Sequence, residues 1–126
     1  MSAEALLIEE TPSLAGSLVA LLEAEGVTVR RFPDLSAAEQ FHAAGRTPHR
    51  VVLVASNAHY SPSVSRWALG PLRETHLVVV GTRDPALRSA GRLHVVRLPL
   101  EPERLLELVG NLLTERSPGD QPAATA

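Results

Sequence analysis

Few residues in this 126-residue chain have the type and spacing to do chemistry. Glu9 and Glu10 are adjacent carboxylates at the end of an apolar run, and hard divalent cations favour oxygen ligands of this kind. Thr82 ends another apolar run with a hydroxyl, and Ser56 follows a third. His42, His49, His59, His76 and His94 show neither i,i+4 nor H-x-H spacing, so the sequence groups no metal ligands among them. Ser61, Ser63 and Ser65 lack the G-x-S-x-G elbow that would expose a nucleophile. Neither G-x-G-x-x-G nor a phosphate-binding P-loop occurs. Cysteine is absent, which excludes disulfides, thiolate metal sites and thiol nucleophiles. Lysine is absent too, and all 12 basic side chains are Arg.

The bulk properties narrow the class further. Twelve basic and 14 acidic residues leave a net charge of −2, which gives no electrostatic footprint for nucleic acid or an anionic membrane. A composition of 44% apolar and 21% charged residues suits one globular domain built on an aliphatic core. No apolar run is long enough to span a bilayer, and MSAEALLIEE turns acidic where a signal peptide would be apolar. A cytoplasmic protein is expected. Residues 1–116 form the expected domain, and Ser117 to Ala126 reads as a tail or linker stub.

Strands and helices alternate along the chain. Ala5–Ile8, Val27–Phe32, Val51–Ala55, Leu77–Val80 and Leu93–Arg97 read as strands, the third and fourth being continuous apolar runs that suit burial on both faces. Thr11-Pro12 opens a helix that Gly26 stops. Ser36 and Glu39 have capping-box spacing for a second helix ending at Gly45. A third helix covers Val64–Leu69, Pro85–Ala90 allows a short one at best, and the last begins at Glu101-Pro102. The expected fold is a single α/β domain, a doubly wound (βα)5 flavodoxin-like unit with a five-stranded parallel sheet of order 2-1-3-4-5. Function in such sheets sits at the carboxyl ends of the strands. Here those ends carry Glu9-Glu10, Ala55-Ser56-Asn57, Gly81-Thr82 and Arg97-Leu98-Pro99.

Over residues 5–115 the chain resembles the receiver domains of two-component response regulators. The resemblance rests on Ile8-Glu9-Glu10-Thr11-Pro12, Leu22 to Val27, Val78-Val79-Val80-Gly81-Thr82 and Val96-Arg97-Leu98-Pro99-Leu100. It implies that Leu98-Pro99 is cis. It also implies a phosphorylation pocket in which a strand-three carboxylate accepts phosphate, an acidic pair holds Mg²⁺, and a strand-four hydroxyl and a strand-five lysine engage the phosphoryl oxygens. Several of those parts are missing here. Ala55 falls at the phosphoacceptor position, and a one-residue shift would bring Ser56 or Val54 there instead. Leu98 replaces the lysine, and Val95 stands at the aromatic switch position. Glu9 and Glu10 remain as weak metal candidates, or as an inherited, solvated acidic cluster. Thr82 alone is intact.

A methyl group cannot accept phosphate. The resemblance therefore points to a degenerate receiver, or pseudo-receiver. It is expected to have no enzymatic activity and no cofactor, and to signal through protein partners. Arg88, Arg92, Arg97 and Leu100 mark the expected interaction face. Leu98 follows Thr82 by only sixteen positions, so the fourth helix has little room and that face is altered. A small-ligand or cofactor-binding protein on the same flavodoxin-like fold is the rival reading, and a structural homodimer is the third.

Overall fold

The computed structural model describes residues 4–45 and 49–114. Five parallel strands form one sheet: β1 (Glu4–Glu9), β2 (Thr28–Phe32), β3 (Val51–Ala55), β4 (His76–Val80) and β5 (Leu93–Val96). Their order is β2-β1-β3-β4-β5, as the alternation of elements predicts. Four helices accompany them: α1 (Pro12–Ala24), α2 (Leu35–Ala44), α3 (Pro62–Leu69) and α4 (Pro102–Thr114). None of the described helices is long and apolar enough to cross a membrane.

Side chains on a strand alternate between faces, so the three central strands feed two separate cores. Ala5, Leu7, Leu53, Ala55, Val78 and Val80 face α1 and α4, where Leu18, Leu22, Leu105 and Val109 cover them. Leu6, Ile8, Val52, Val54, Leu77 and Val79 face α2 and α3, where Leu35, Ala38 and Trp67 pack. Every residue of β3 is buried, which is why its sequence is apolar without alternation. Full burial of one such Val or Leu side chain contributes about 1.5–3 kcal/mol. The edge strands β2 and β5 carry partly exposed residues throughout, consistent with their more polar sequences.

Two local expectations change. The cap of α2 is Asp34, not a Ser36–Glu39 box: Asp34 Oδ1 accepts from the Ala37 amide at 2.9 Å. An extended Asp directly before the helix satisfies that amide first, which places Ser36 inside the helix. Glu39 is freed to pack against α3, where it takes two hydrogen bonds from Arg66, at 2.6 and 2.9 Å. Helix α3 also starts earlier than Val64, because Pro62 already has the φ of a first helical residue.

A third difference lies between β4 and β5. No helix joins β4 to β5, so the described chain has five strands and four helices rather than a complete (βα)5 set. Asp84 closes a single turn instead, its Oδ1 accepting from the Ala86 amide at 2.9 Å. The chain then runs back along β5, with Ala90 and Leu93 exchanging two backbone hydrogen bonds of 2.9 Å around Gly91. Gly91 has φ +57°, a conformation that most side chains resist. The Val95 amide donates to Ser89 Oγ at 2.8 Å, which covers part of the sheet's free edge. Arg97 fixes this loop from below, reaching the carbonyls of Thr82, Asp84 and Leu87 at 3.4, 3.0 and 2.6 Å. Twelve positions between Val80 and Leu93, broken by Pro85 and Gly91, are too few for a helix and both of its turns.

Candidate functional site

The strand registers bring the expected pocket residues together. Glu9 on β1 lies beside Ala55 on β3, and Ala55 lies beside Val80 on β4. Backbone bonds tie the connecting loops into a belt around the sheet's carboxyl rim. The Thr11 amide donates to the Ala55 carbonyl at 2.8 Å, that of Ser56 to Val80 at 3.0 Å, and that of Gly81 to Val96 at 2.9 Å. Thr11 Oγ1 donates to Asn57 Oδ1 and accepts from the Asn57 amide, at 3.2 and 3.1 Å. The first turn of α1 is therefore a poor phosphate cradle, since the Thr11 amide is engaged and Pro12 has none.

At the middle of the rim the reactive groups are absent or turned inward. Ala55 is fully buried, its methyl group in the core under α1 and α4. Ser56 is also buried, and its Oγ accepts from the Ala58 amide at 3.3 Å. Thr82 is buried, with Oγ1 accepting from the Asp84 amide at 3.1 Å, a local turn bond. Gly81 lies between them at φ +94°, where a Cβ would stand 2.6 Å from Leu14 Cδ2 and 3.1 Å from the Ser56 carbonyl oxygen. The rim thus closes tightly around Gly81, between Ser56 and Thr82.

The two carboxylates part to opposite faces of the sheet, as strand alternation requires. Glu9 follows the parity of Ala5 and Leu7 and forms an ion pair with Arg31 of β2. Glu10 turns to the other face and meets the N-terminus of α3. Its Oε2 accepts from Ser61 Oγ at 2.9 Å, from the Ser63 amide at 3.2 Å and from Ser63 Oγ. Ser61 is the N-cap residue of α3 but makes no side-chain cap of its own. Glu10 supplies that cap from 51 positions away, with its negative charge at the positive end of the helix dipole. The pair is thus not a solvated cluster, and its geometry does not fit Mg²⁺: the carboxylates diverge, each has a partner, and β3 offers no third. Among the described residues no three His, Asp or Glu side chains converge as a metal set.

On the remaining rim, Leu98-Pro99 is cis, as the resemblance implies. Leu98, expected at the lysine position, is 50% exposed. Leu100 packs partly onto the core beneath α1 and α4. A cleft of about 280 Å³ opens between β5 and α4, lined by Val95, Val96, Arg97, Pro99, Arg104 and Leu108 among others. The three expected interaction arginines each reach backbone carbonyls. Arg88 reaches the carbonyls of Pro85 and Leu87, and Arg92 reaches that of Glu74. Arg97 holds the β4–β5 loop as described above.

Sequence spacing also missed contacts at the opposite end of the sheet. His42 and His49 meet with Nδ1 atoms 3.4 Å apart, and His76 and His94 meet at 3.1 Å. His49 continues to Glu4 at 2.6 Å, and Glu4 to Arg30 at 3.2 Å. The only signal for the first pair was that His42 lies near a helix end and His49 near the start of the next strand. The second pair arises across parallel strands eighteen residues apart.

No protein-family model matches the sequence, and no curated protein does. Solved structures do match. A sensor protein from Polaromonas sp. JS666 aligns with a TM-score of 0.66 at 20% identity, over 90% of this chain and 97% of that one. The receiver domain of a sensor histidine kinase from Pseudomonas aeruginosa PAO1, which holds a magnesium ion in its active-site cleft, aligns at 0.66 and 19% identity, over 91% and 100%. A response regulator from Thermotoga maritima aligns at 0.64 and 17% identity, over 91% and 100%. From strand order, rim geometry and these likenesses together, the chain has the fold of a response-regulator receiver domain.

Proposed function

We propose that this chain is a signalling module that works through protein contact and without aspartyl phosphorylation. The observation that carries the reading is the end of β3, where the residue that the resemblance aligns with the phosphate-accepting carboxylate is a fully buried Ala55 beside Glu9. Three further features support it. Glu9 is paired with Arg31, Glu10 caps α3, and Leu98 takes the place of the cation. Phosphoryl transfer depends on charge neutralisation at the transferred group, and this rim offers neither the nucleophile nor the lysine. What remains is the five-stranded scaffold with a helix-free β4–β5 loop, offered for docking.

The test is a titration with acetyl phosphate, and separately with beryllofluoride, in the presence of Mg²⁺ and followed by amide NMR. The Ser56, Gly81 and Thr82 resonances are expected to stay in place. Saturable shifts at those amides, or an acid-labile phosphate on any carboxylate, would overturn the proposal.

A further inference from the structure

The end of the sheet opposite the receiver rim carries a second constellation. His49 lies two positions before β3, and its side chain is only 7% exposed. Phe41 packs against its ring with centroids 5.6 Å apart, and Phe32 packs behind Phe41 at 5.4 Å. Two aromatic rings in series therefore back the His49 ring on one side. Its Nε2 lies 2.6 Å from Glu4 Oε1, and Glu4 in turn accepts from Arg30 Nε at 3.2 Å. An ionised carboxylate only accepts, so the hydrogen on His49 must sit on Nε2. That tautomer leaves the Nδ1 lone pair of His49 pointing at His42.

His42, in the last turn of α2, presents its own Nδ1 at 3.4 Å. With its hydrogen on Nδ1, His42 would make only a long hydrogen bond here, beyond the ~2.7–3.2 Å typical of N–H donors. The distance does match a coordination edge. Imidazole nitrogens bind Zn²⁺ at about 2.0–2.1 Å, and two vertices of a tetrahedron with that radius lie about 3.3–3.4 Å apart. The Glu4 contact supplies the outer carboxylate that commonly orients a metal-bound histidine and raises its basicity.

From this geometry we propose that His42 and His49 chelate a divalent transition ion of the zinc–copper class through their Nδ1 atoms, with Glu4 orienting His49 from the second shell. Imidazole suits such ions better than it suits Mg²⁺ or Ca²⁺. Among the described residues no third His, Asp or Glu completes the set, so water fills the remaining positions. His49 forms the buried, fixed half of the chelate and His42 the accessible half. On binding, His42 carries its hydrogen on Nε2, which leaves both Nδ1 lone pairs on the metal. Protons compete for those lone pairs, so affinity falls as the solution is acidified through the histidine range.

The test is a Zn²⁺ titration of the full chain by calorimetry, with the imidazole nitrogens followed by NMR. One ion per chain is expected, with shifts at the Nδ1 atoms of His42 and His49. His42→Gln and His49→Gln should each abolish that binding, and Glu4→Gln should weaken it about ten- to a hundredfold. His76→Gln should leave it unchanged. If His49→Gln does not fold by circular dichroism, His42→Gln decides, because its side chain ends the helix near solvent. Absence of Zn²⁺ binding by the wild-type chain, binding that survives His42→Gln, or shifts at His76 and His94 alone would overturn the proposal.

Discussion

Replacing Glu10 by Ala removes one carboxylate oxygen that accepts three hydrogen bonds from the first turn of α3. Loss of a helix cap costs about 0.5–2 kcal/mol, and a hydrogen bond to a charged group contributes about 1.5–3 kcal/mol. The site is only half-buried, so water replaces part of what is lost, and a net destabilisation of about 1–3 kcal/mol is expected. At about 4 °C per kcal/mol for a domain of this size, the Tm falls by about 4–12 °C. Glu10→Gln keeps an acceptor but loses the charge, and should fall between the two. The sign is diagnostic. Carboxylates gathered to hold a cation repel one another, so removing one stabilises the metal-free protein. Urea unfolding monitored by circular dichroism, with and without Mg²⁺, separates the two cases. A midpoint that stays level or rises in Glu10→Ala, or a wild-type midpoint that Mg²⁺ raises through Glu10, would refute the capping argument.

Three other expectations follow from the same geometry. The His49 hydrogen bond holds the Glu4 carboxyl below its ordinary value of 4.5, and burial beside His49 lowers His42 below its ordinary 6.5. The unfolded chain then binds more protons than the folded one, so stability falls as pH drops below 6.5 and falls again below 4.5; urea midpoints between pH 4 and 8 should show the decline, with His42→Gln flattening its upper part. Arg97→Ala frees the carbonyls of Thr82, Asp84 and Leu87, and amide hydrogen exchange should quicken across residues 83–90 while the protected core of β3 keeps its rate. Gly81→Ala forces a methyl group against Leu14 and the Ser56 carbonyl at φ +94°, at a cost of at least about 1–3 kcal/mol, and an unchanged urea midpoint would show that the rim is looser than described.

The sequence alone determined the layers of this protein and the residue types that stand at the sheet's rim. Val51 to Ala55 and Leu77 to Val80 read as strands buried on both faces, because Val-rich runs without alternation have no polar side to turn to water. Ala55 and Leu98 are apolar by residue type, which no packing can change. The tertiary structure decided where the remaining polar groups are used. Glu10 and Ser63 lie 53 positions apart, and Glu4 and His49 lie 45 apart, so their bonds exist only once the sheet brings its ends together. Asp34 displaced Ser36 as a cap, and Arg97 took the place of a helix, because each competed for backbone groups that a linear pattern cannot rank. Apolar periodicity is a local signal and survives in the sequence. A hydrogen bond between distant residues is a property of register, and register is set by the whole fold.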